Sequence, residues 1–161
     1  MVAIIFVTLV SIIFFGDLYI KNRVEKYIFV KRDTAPGSGK NERELLGGRL
    51  LLRRHHNRGM VLNAGEKRQS VVAVISLVLT AVLTVVFLIS LGHRGNNLLR
   101  AGLSLLLGGA FSNTYDRLKR KYVVDYISFG VKWKRFRNIV FNLSDFCIII
   151  GALLAALGLS R

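Results

Sequence analysis

Acidic side chains are scarce here: nine Asp and Glu stand against 24 Lys and Arg, a formal net charge of +15. Each acid inside an apolar stretch therefore merits individual reading. Cysteine occurs once, as Cys147, so no intramolecular disulfide can form, and no Cys or His cluster has metal-ligand spacing. His55 and His56 are adjacent rather than four apart, as ligands on one helix face would be, and are read as loop residues. Neither a metal nor an organic cofactor is expected. Proline also occurs once, as Pro36 in the turn-rich stretch DTAPGSGKNE, which marks a loop.

What is present is long apolar runs, with 52% hydrophobic residues overall. That composition predicts a small membrane protein of a single domain, residues 1–161, built from helices. Four segments qualify as spans: 2–20, 70–92, 97–115 and 139–160. The second carries no charge over 23 residues, about 34 Å of helix, enough for a hydrocarbon core of about 30 Å. The third is interrupted by Arg100, which near a helix end is expected to snorkel to the headgroups. The fourth holds Asn142 and Asp145 in its first turns. Small residues concentrate in these last two spans, Gly102, Gly108, Gly109 and Ala110 in one and Gly151, Ala152, Ala155 and Ala156 in the other, which predicts close helix packing between them. The first run lacks a basic leading region and a small-residue cleavage site, so it is read as a retained helix rather than a removed leader. The stretch RLLLRRHHNRGMVLN in the loop 21–69 predicts short strands.

Charge distribution poses a conflict. The segment from Lys21 to Arg68 holds 13 Lys and Arg and that from Arg117 to Arg137 holds eight, whereas the turn between spans two and three holds only Arg94. Counting positive charge places the two basic loops in the cytoplasm. Basic loops also bind anionic headgroups, which would hold them on an outer leaflet. The runs RLKRK and KWKRFR, the second interleaved with Trp133 and Phe136, suit a headgroup interface. Nucleic acid is not an expected partner for loops so closely flanked by spans.

The chemistry lies between Gly109 and Asp145. A carboxylate within the bilayer costs on the order of 2.5–3.5 kcal/mol by insertion scales, so such acids are functional candidates. Asn113, Asp116 and Arg117 are spaced i, i+3, i+4 and share one helix face at the mouth of the third span. Asp125 follows in YVVDYISF. Asn142 and Asp145, again i and i+3, share a face at the start of the fourth span. If the helix ends meet, the two acids Asp125 and Asp145 converge with Asn113, Asn142 and Arg117 around them. Two carboxylates in one site hold one proton between them, so one activates water while the other protonates a substrate carbonyl.

The strings SNTYDR, VVDY and FNLSD, with NRGMVL at 57–62 and Asp17 with Lys21 after the first span, resemble lipoprotein signal peptidase (signal peptidase II). The likeness covers nearly the whole chain. It implies an all-α membrane protein of four transmembrane helices with a small, partly β extracytoplasmic loop domain between helices 1 and 2. It also implies extracytoplasmic loops 21–69 and 116–138 and cytoplasmic termini in a bacterial inner membrane. The implied activity is an aspartic endopeptidase that cleaves a lipidated prolipoprotein before its diacylglyceryl-modified cysteine. The implied partners are that substrate and anionic lipids, with the enzyme a monomer. Asp125 and Asp145 match the catalytic dyad. Asn57, Gly109, Asn113, Asp116, Arg117 and Asn142 match supporting positions, as do Asp17 and Lys21; Asp17 and Asp116 alone read as structural hydrogen-bonding groups.

The sequence departs from the family pattern at Ser112, where glycine usually precedes the Asn, at Lys121, a common glycine ahead of VVD, at Ser144, a usual alanine, and at Met60, Val61 and Leu62, for Ala-Ala-Phe. No acid or amide is lost. Two rival functions remain open: a proton-coupled transporter using Asp125 and Asp145 as a relay, and a noncatalytic lipid-binding scaffold.

Overall fold

The apolar runs form helices, and the loops between them supply a small sheet. The computed structural model describes residues 2–28, 42–59, 68–92 and 95–160. The stretch around Pro36, the Arg94 turn and Met60, Val61 and Leu62 lie outside the described residues. Chain order is α1 (Val2–Arg23), a π-helical turn (Val24–Ile28), β1 (Glu42–Leu45), β2 (Leu50–Asn57), α2 (Gln69–Gly92), α3 (Asn97–Lys119), β3 (Val123–Phe129), α4 (Lys134–Arg137) and α5 (Leu143–Leu159).

Helices α1 and α2 are long and apolar enough to cross a membrane. They expose Ile4, Ile12 and Phe15 on one and Leu79, Leu88 and Ile89 on the other, a density of exposed apolar side chains that a water-soluble surface rarely carries. The helix expected as a fourth span is shorter than its bounds 139–160. Helix α5 starts at Leu143 and has 17 residues, because Asn142 caps it and Phe141 is drawn into a β-bridge with Ile127.

Helix α3 is the centre of the bundle, packed against α5, α1 and α2. The expected close seam between α3 and α5 is present. A Cβ on Gly151 would meet Leu106 N at 2.5 Å and Gly102 O at 2.6 Å, one on Gly109 would meet Ser144 O at 2.6 Å, and one on Gly102 would strike the Ala155 backbone. Three of the small residues do not join it: Gly108 abuts Ile13 of α1, and Ala152 and Ala156 are exposed. Arg100 does not snorkel. It is 8% exposed and its Nε donates to Ser90 O of α2 at 3.0 Å, because the last carbonyls of α2 lack intrahelical donors. Asn96 caps α3 by accepting from Leu99 N and donates to Gly158 O at 2.8 Å, joining α3 to the far end of α5.

The sheet has antiparallel order β1-β2-β3. The β content is therefore not confined to the loop between helices 1 and 2: the second loop contributes β3, and His55 and His56, expected in a loop, lie on β2. A register shift between Leu52 and His55 sets His55 opposite Asp125. Val24, Val124 and Tyr126 form a buried cluster with Ile20, Leu52 and Leu143 that seats the sheet on the ends of α1 and α5. Lys121, at the position where the resembled pattern has glycine, takes φ 69° ahead of β3, a left-handed conformation costing roughly 1–2 kcal/mol for a residue with a Cβ.

The seam makes a measurable claim. Gly151→Val should destabilise the protein by about 1–3 kcal/mol, since its added atoms meet backbone that cannot yield. Gly16→Ala on α1, with nothing within 4 Å of the new Cβ, should be neutral or stabilising by up to about 1 kcal/mol. Denaturant unfolding in detergent compares the two.

Candidate active site

The local start of α5 builds half of the site. Asn142 is the N-cap and Asp145 the third helical residue, so each side chain takes the other's backbone N–H: Asp145 N donates to Asn142 Oδ1 at 2.9 Å and Asn142 N to Asp145 Oδ2 at 3.0 Å. This capping box satisfies two donors that a helix start leaves orphaned. With its oxygen so engaged, the Asn142 amide must direct its nitrogen elsewhere. It donates to Asp125 Oδ1 at 2.7 Å.

Asp125 reaches this point from β3. Tyr126 N and Ile127 N both donate to Phe141 O, at 2.9 and 2.7 Å, and Phe141 N donates to Ile127 O, which fastens β3 to the residue preceding the cap. Asn113 of α3 closes the circuit: its Nδ2 donates to Asp145 Oδ1 at 3.1 Å, and its Oδ1 accepts from Asn142 Nδ2 at 3.3 Å and Lys21 Nζ at 2.9 Å. One amide thus contacts both acids' network, and Lys21 fixes which way that amide points.

Asp125 is 2% exposed. Burial, then the negative charge of Asp145, push its carboxyl from the usual value of 3.8 up to about 7, against opposing hydrogen bonds from Asn142 and Asn57 and the charge of Lys21. A proton is therefore retained at near-neutral pH. Arg117 places its charge near both acids while donating to Asn113 O at 3.3 Å and Gly59 O at 3.2 Å.

The remaining sequence candidates take supporting places. Asn57, at the end of β2, accepts from Gly59 N at 3.1 Å and hydrogen-bonds Asp125. Gly109 permits the approach of α3 to Ser144 beside Asp145. Asp116 does not touch the acid pair: it is fully buried, ion-pairs with Lys21 at 3.2 Å and Arg120 at 3.3 Å, and accepts from Val124 N at the start of β3. Asp17 and Lys21, also fully buried, form an ion pair at 2.7 Å. Cys147 is buried between helices and packs. Among the described residues, no three His, Cys, Asp or Glu side chains gather as a metal site.

Sequence reasoning missed three hydroxyls. Ser112 and Ser144 donate to Asp17 Oδ2 at 2.6 and 2.5 Å, and Tyr126 to Asp17 Oδ1 at 3.0 Å. Burial and the charge of Asp17 raise the Tyr126 phenol, so it remains a donor. Spacing carries no sign of these contacts. The contacts of His56 were likewise not foreseen: it pairs with Glu25 at 2.6 Å and stacks on Tyr122.

Comparison with known proteins gives a consistent result. The family model described as signal peptidase (SPase) II matches residues 8–161. Lipoprotein signal peptidases are among the similar sequences: one from Clostridium tetani is 33% identical over 98 residues, covering 61% of each chain. One from Caldicellulosiruptor bescii is 36% identical over 111 residues, covering 68% of this chain and 67% of the relative. One from Pseudomonas paraeruginosa is 42% identical over 90 residues, covering 55% and 51%. The chain thus spans about half to two thirds of the length of these relatives. Two solved structures described as bacterial membrane enzymes, determined by the in meso method, share the fold. One superposes with a TM-score of 0.74 at 19% identity, covering 96% of this chain and 86% of that one; the other has a TM-score of 0.57 at 20% identity, covering 89% and 92%. With the model matching from residue 8 to residue 161, the chain belongs to the signal peptidase II family.

Proposed function

We propose that this protein is an intramembrane aspartic endopeptidase that removes the signal peptide of a bacterial prolipoprotein by cleaving before its diacylglyceryl-modified cysteine. The observation that carries this reading is the single amide of Asn142, which binds Asp125 with its nitrogen and caps Asp145 with its oxygen. Asp125 and Asp145 form the catalytic dyad. Sharing one proton, the pair polarises the scissile carbonyl with the protonated carboxyl and takes a proton from water with the charged one; the titration belongs to the pair. Arg117 and Asn57 border the peptide, and no metal or organic cofactor takes part. The transporter alternative has no support from the family, and Asp125 sits on a strand of the sheet rather than on a helix.

The chain acts as one domain and as a monomer, with α1, α2, α3 and α5 as its four spans in the bacterial inner membrane. Both basic loops lie on the outer side and both termini in the cytoplasm. Strands from the two loops share one sheet, which supports placing them on the same side, together with the acids. There the basic residues meet anionic headgroups. Trp133 is 70% exposed, suited to the interface, and Phe136, also exposed, rests its ring on Phe129 and Phe141. Diacylglyceryl chains on the substrate cysteine hold the scissile bond at this depth, each buried CH₂ contributing about 0.8 kcal/mol.

Asp125→Asn and Asp145→Asn are near-isosteric and should each lower cleavage of a lipidated precursor by about 10²-fold or more while the protein stays folded. Wild-type turnover by either variant removes that residue from the chemistry.

The pH dependence has a defined sign. Since the Asp125 proton is held up to about pH 7, the once-protonated dyad is present below that value and is lost above it, so kcat should fall as pH rises through about 7. Because the folded state holds this proton more tightly than the unfolded chain, stability should also decline from about pH 4 to 7, and this decline should be smaller in Asp125→Asn.

Topology is tested with single cysteines on a Cys147→Ser background. Leu46→Cys, in the exposed turn between β1 and β2, should react with an impermeant thiol reagent in intact cells, and Ser160→Cys should not. Reversed labelling would restore the orientation that counting positive charge favours.

A further inference from the structure

Asp17 lies on α1, outside the dyad, yet each hydroxyl it accepts belongs to a chain neighbour of a site residue. Tyr126 follows Asp125 on β3, Ser144 precedes Asp145 on α5, and Ser112 precedes Asn113 on α3. Tyr126 Oη also accepts from Leu143 N at 3.1 Å, tying β3 to the first residue of α5. Lys21 Nζ holds the same carboxylate at 2.7 Å and donates to Ser112 Oγ at 3.0 Å. The side chains of Asp17, Lys21, Ser112 and Ser144 are fully buried and Tyr126 is 3% exposed, so water does not replace a missing partner. Two of the hydroxyls, Ser112 and Ser144, stand where the resembled pattern has glycine and alanine, which carry no donor.

We propose that Asp17 is a positioning residue for the dyad: its carboxylate, through the hydroxyls of Ser112, Tyr126 and Ser144, sets the spacing between Asp125 on β3 and Asp145 on α5. This rests on the assignment of the two acids as the catalytic pair. At the acids themselves α3, β3 and α5 are joined through side-chain amides; the Phe141 bridge ties β3 to the residue before the cap, but the amides leave the spacing of the two carboxyls some freedom. Locking the residue next to each site residue onto one buried anion removes that freedom. A misplacement of reacting groups by about 1 Å costs on the order of 10²-fold in rate, so the anchor acts on kcat rather than on substrate binding.

The test compares Tyr126→Phe, Ser144→Ala and Ser112→Ala with Thr80→Val, which removes a buried hydroxyl contact with Thr114, the residue after Asn113, that does not involve Asp17 and leaves Thr114 its bond to Ser76 O. Asp17→Asn is added, but the milder variants decide if it fails to fold. Two readouts are taken: cleavage of a lipidated precursor, and titration of the dyad followed by the infrared carboxyl band that is lost in Asp125→Asn. Expected for Tyr126→Phe and Ser144→Ala is a fall in kcat of about 10- to 100-fold with KM nearly unchanged, and a shift of the titration midpoint by about half a pH unit or more. Thr80→Val should change neither, even where its thermal stability falls as far. An unmoved midpoint with wild-type kcat in Tyr126→Phe and Ser144→Ala overturns the proposal, as does an equal kcat loss in Thr80→Val. If the wild-type protein cleaves no precursor while the midpoint still moves in those two variants, the peptidase reading fails and the positioning by Asp17 stands.

Discussion

An ammonium without solvent holds the polar end of this bundle together. Lys21 Nζ is fully buried and takes Asp17, Asp116, Ser112 Oγ and Asn113 Oδ1 as partners. A buried charge is tolerated only when paired and hydrogen-bonded, and removing one partner of such a pair typically costs about 3–5 kcal/mol. The constraint acts in both directions. Helix α1 can sit against α3 only in the register that delivers Asp17 and Lys21, and Asp116, held by the same ammonium, accepts the Val124 N–H and so determines where β3 begins.

From that point the geometry propagates outward. β3 starts at the buried acid, crosses the site at Asp125 and is fastened to Phe141 before α5 begins. The cap of α5 is then already beside it. Asn142 therefore has a local task and a long-range one at once: without the cap the amide would be free to rotate, and without Asp125 its nitrogen would keep only the longer bond to Asn113 Oδ1 at 3.3 Å. Helix initiation and the joining of the two acids are one hydrogen-bonded unit.

The sheet resolves what the sequence left as two separate loops. Because β2 comes from one and β3 from the other, strands of both loops meet beside the acids, and Asp125 is buried on the sheet side of the site. Burial raises its proton affinity without exposing a charge to hydrocarbon. A carboxyl that keeps its proton up to about pH 7 is both less costly to bury and ready to donate.

Local pattern determined much here. The apolar runs specified α1 and α2, since no other backbone satisfies its own hydrogen bonds in lipid. The glycines of α3 and α5 foretold their seam, and Asn142 and Asp145, three apart, were legible as sharing a helix face, though their role as its cap was not. The strand propensity of residues 50–57 was visible too, and the resemblance supplied the pairing of Asp125 with Asp145. Tertiary structure decided the rest. That Arg100 bonds Ser90 instead of reaching headgroups depends on where α2 ends in space. That Asp125 lies on a strand opposite His55 depends on a register shift between segments some 70 residues apart. The hydroxyls on Asp17 come from 95, 109 and 127 residues away, and no periodicity in a chain encodes a hydrogen bond at such separation. It exists only once packing has brought α1, α3, β3 and α5 to a common point.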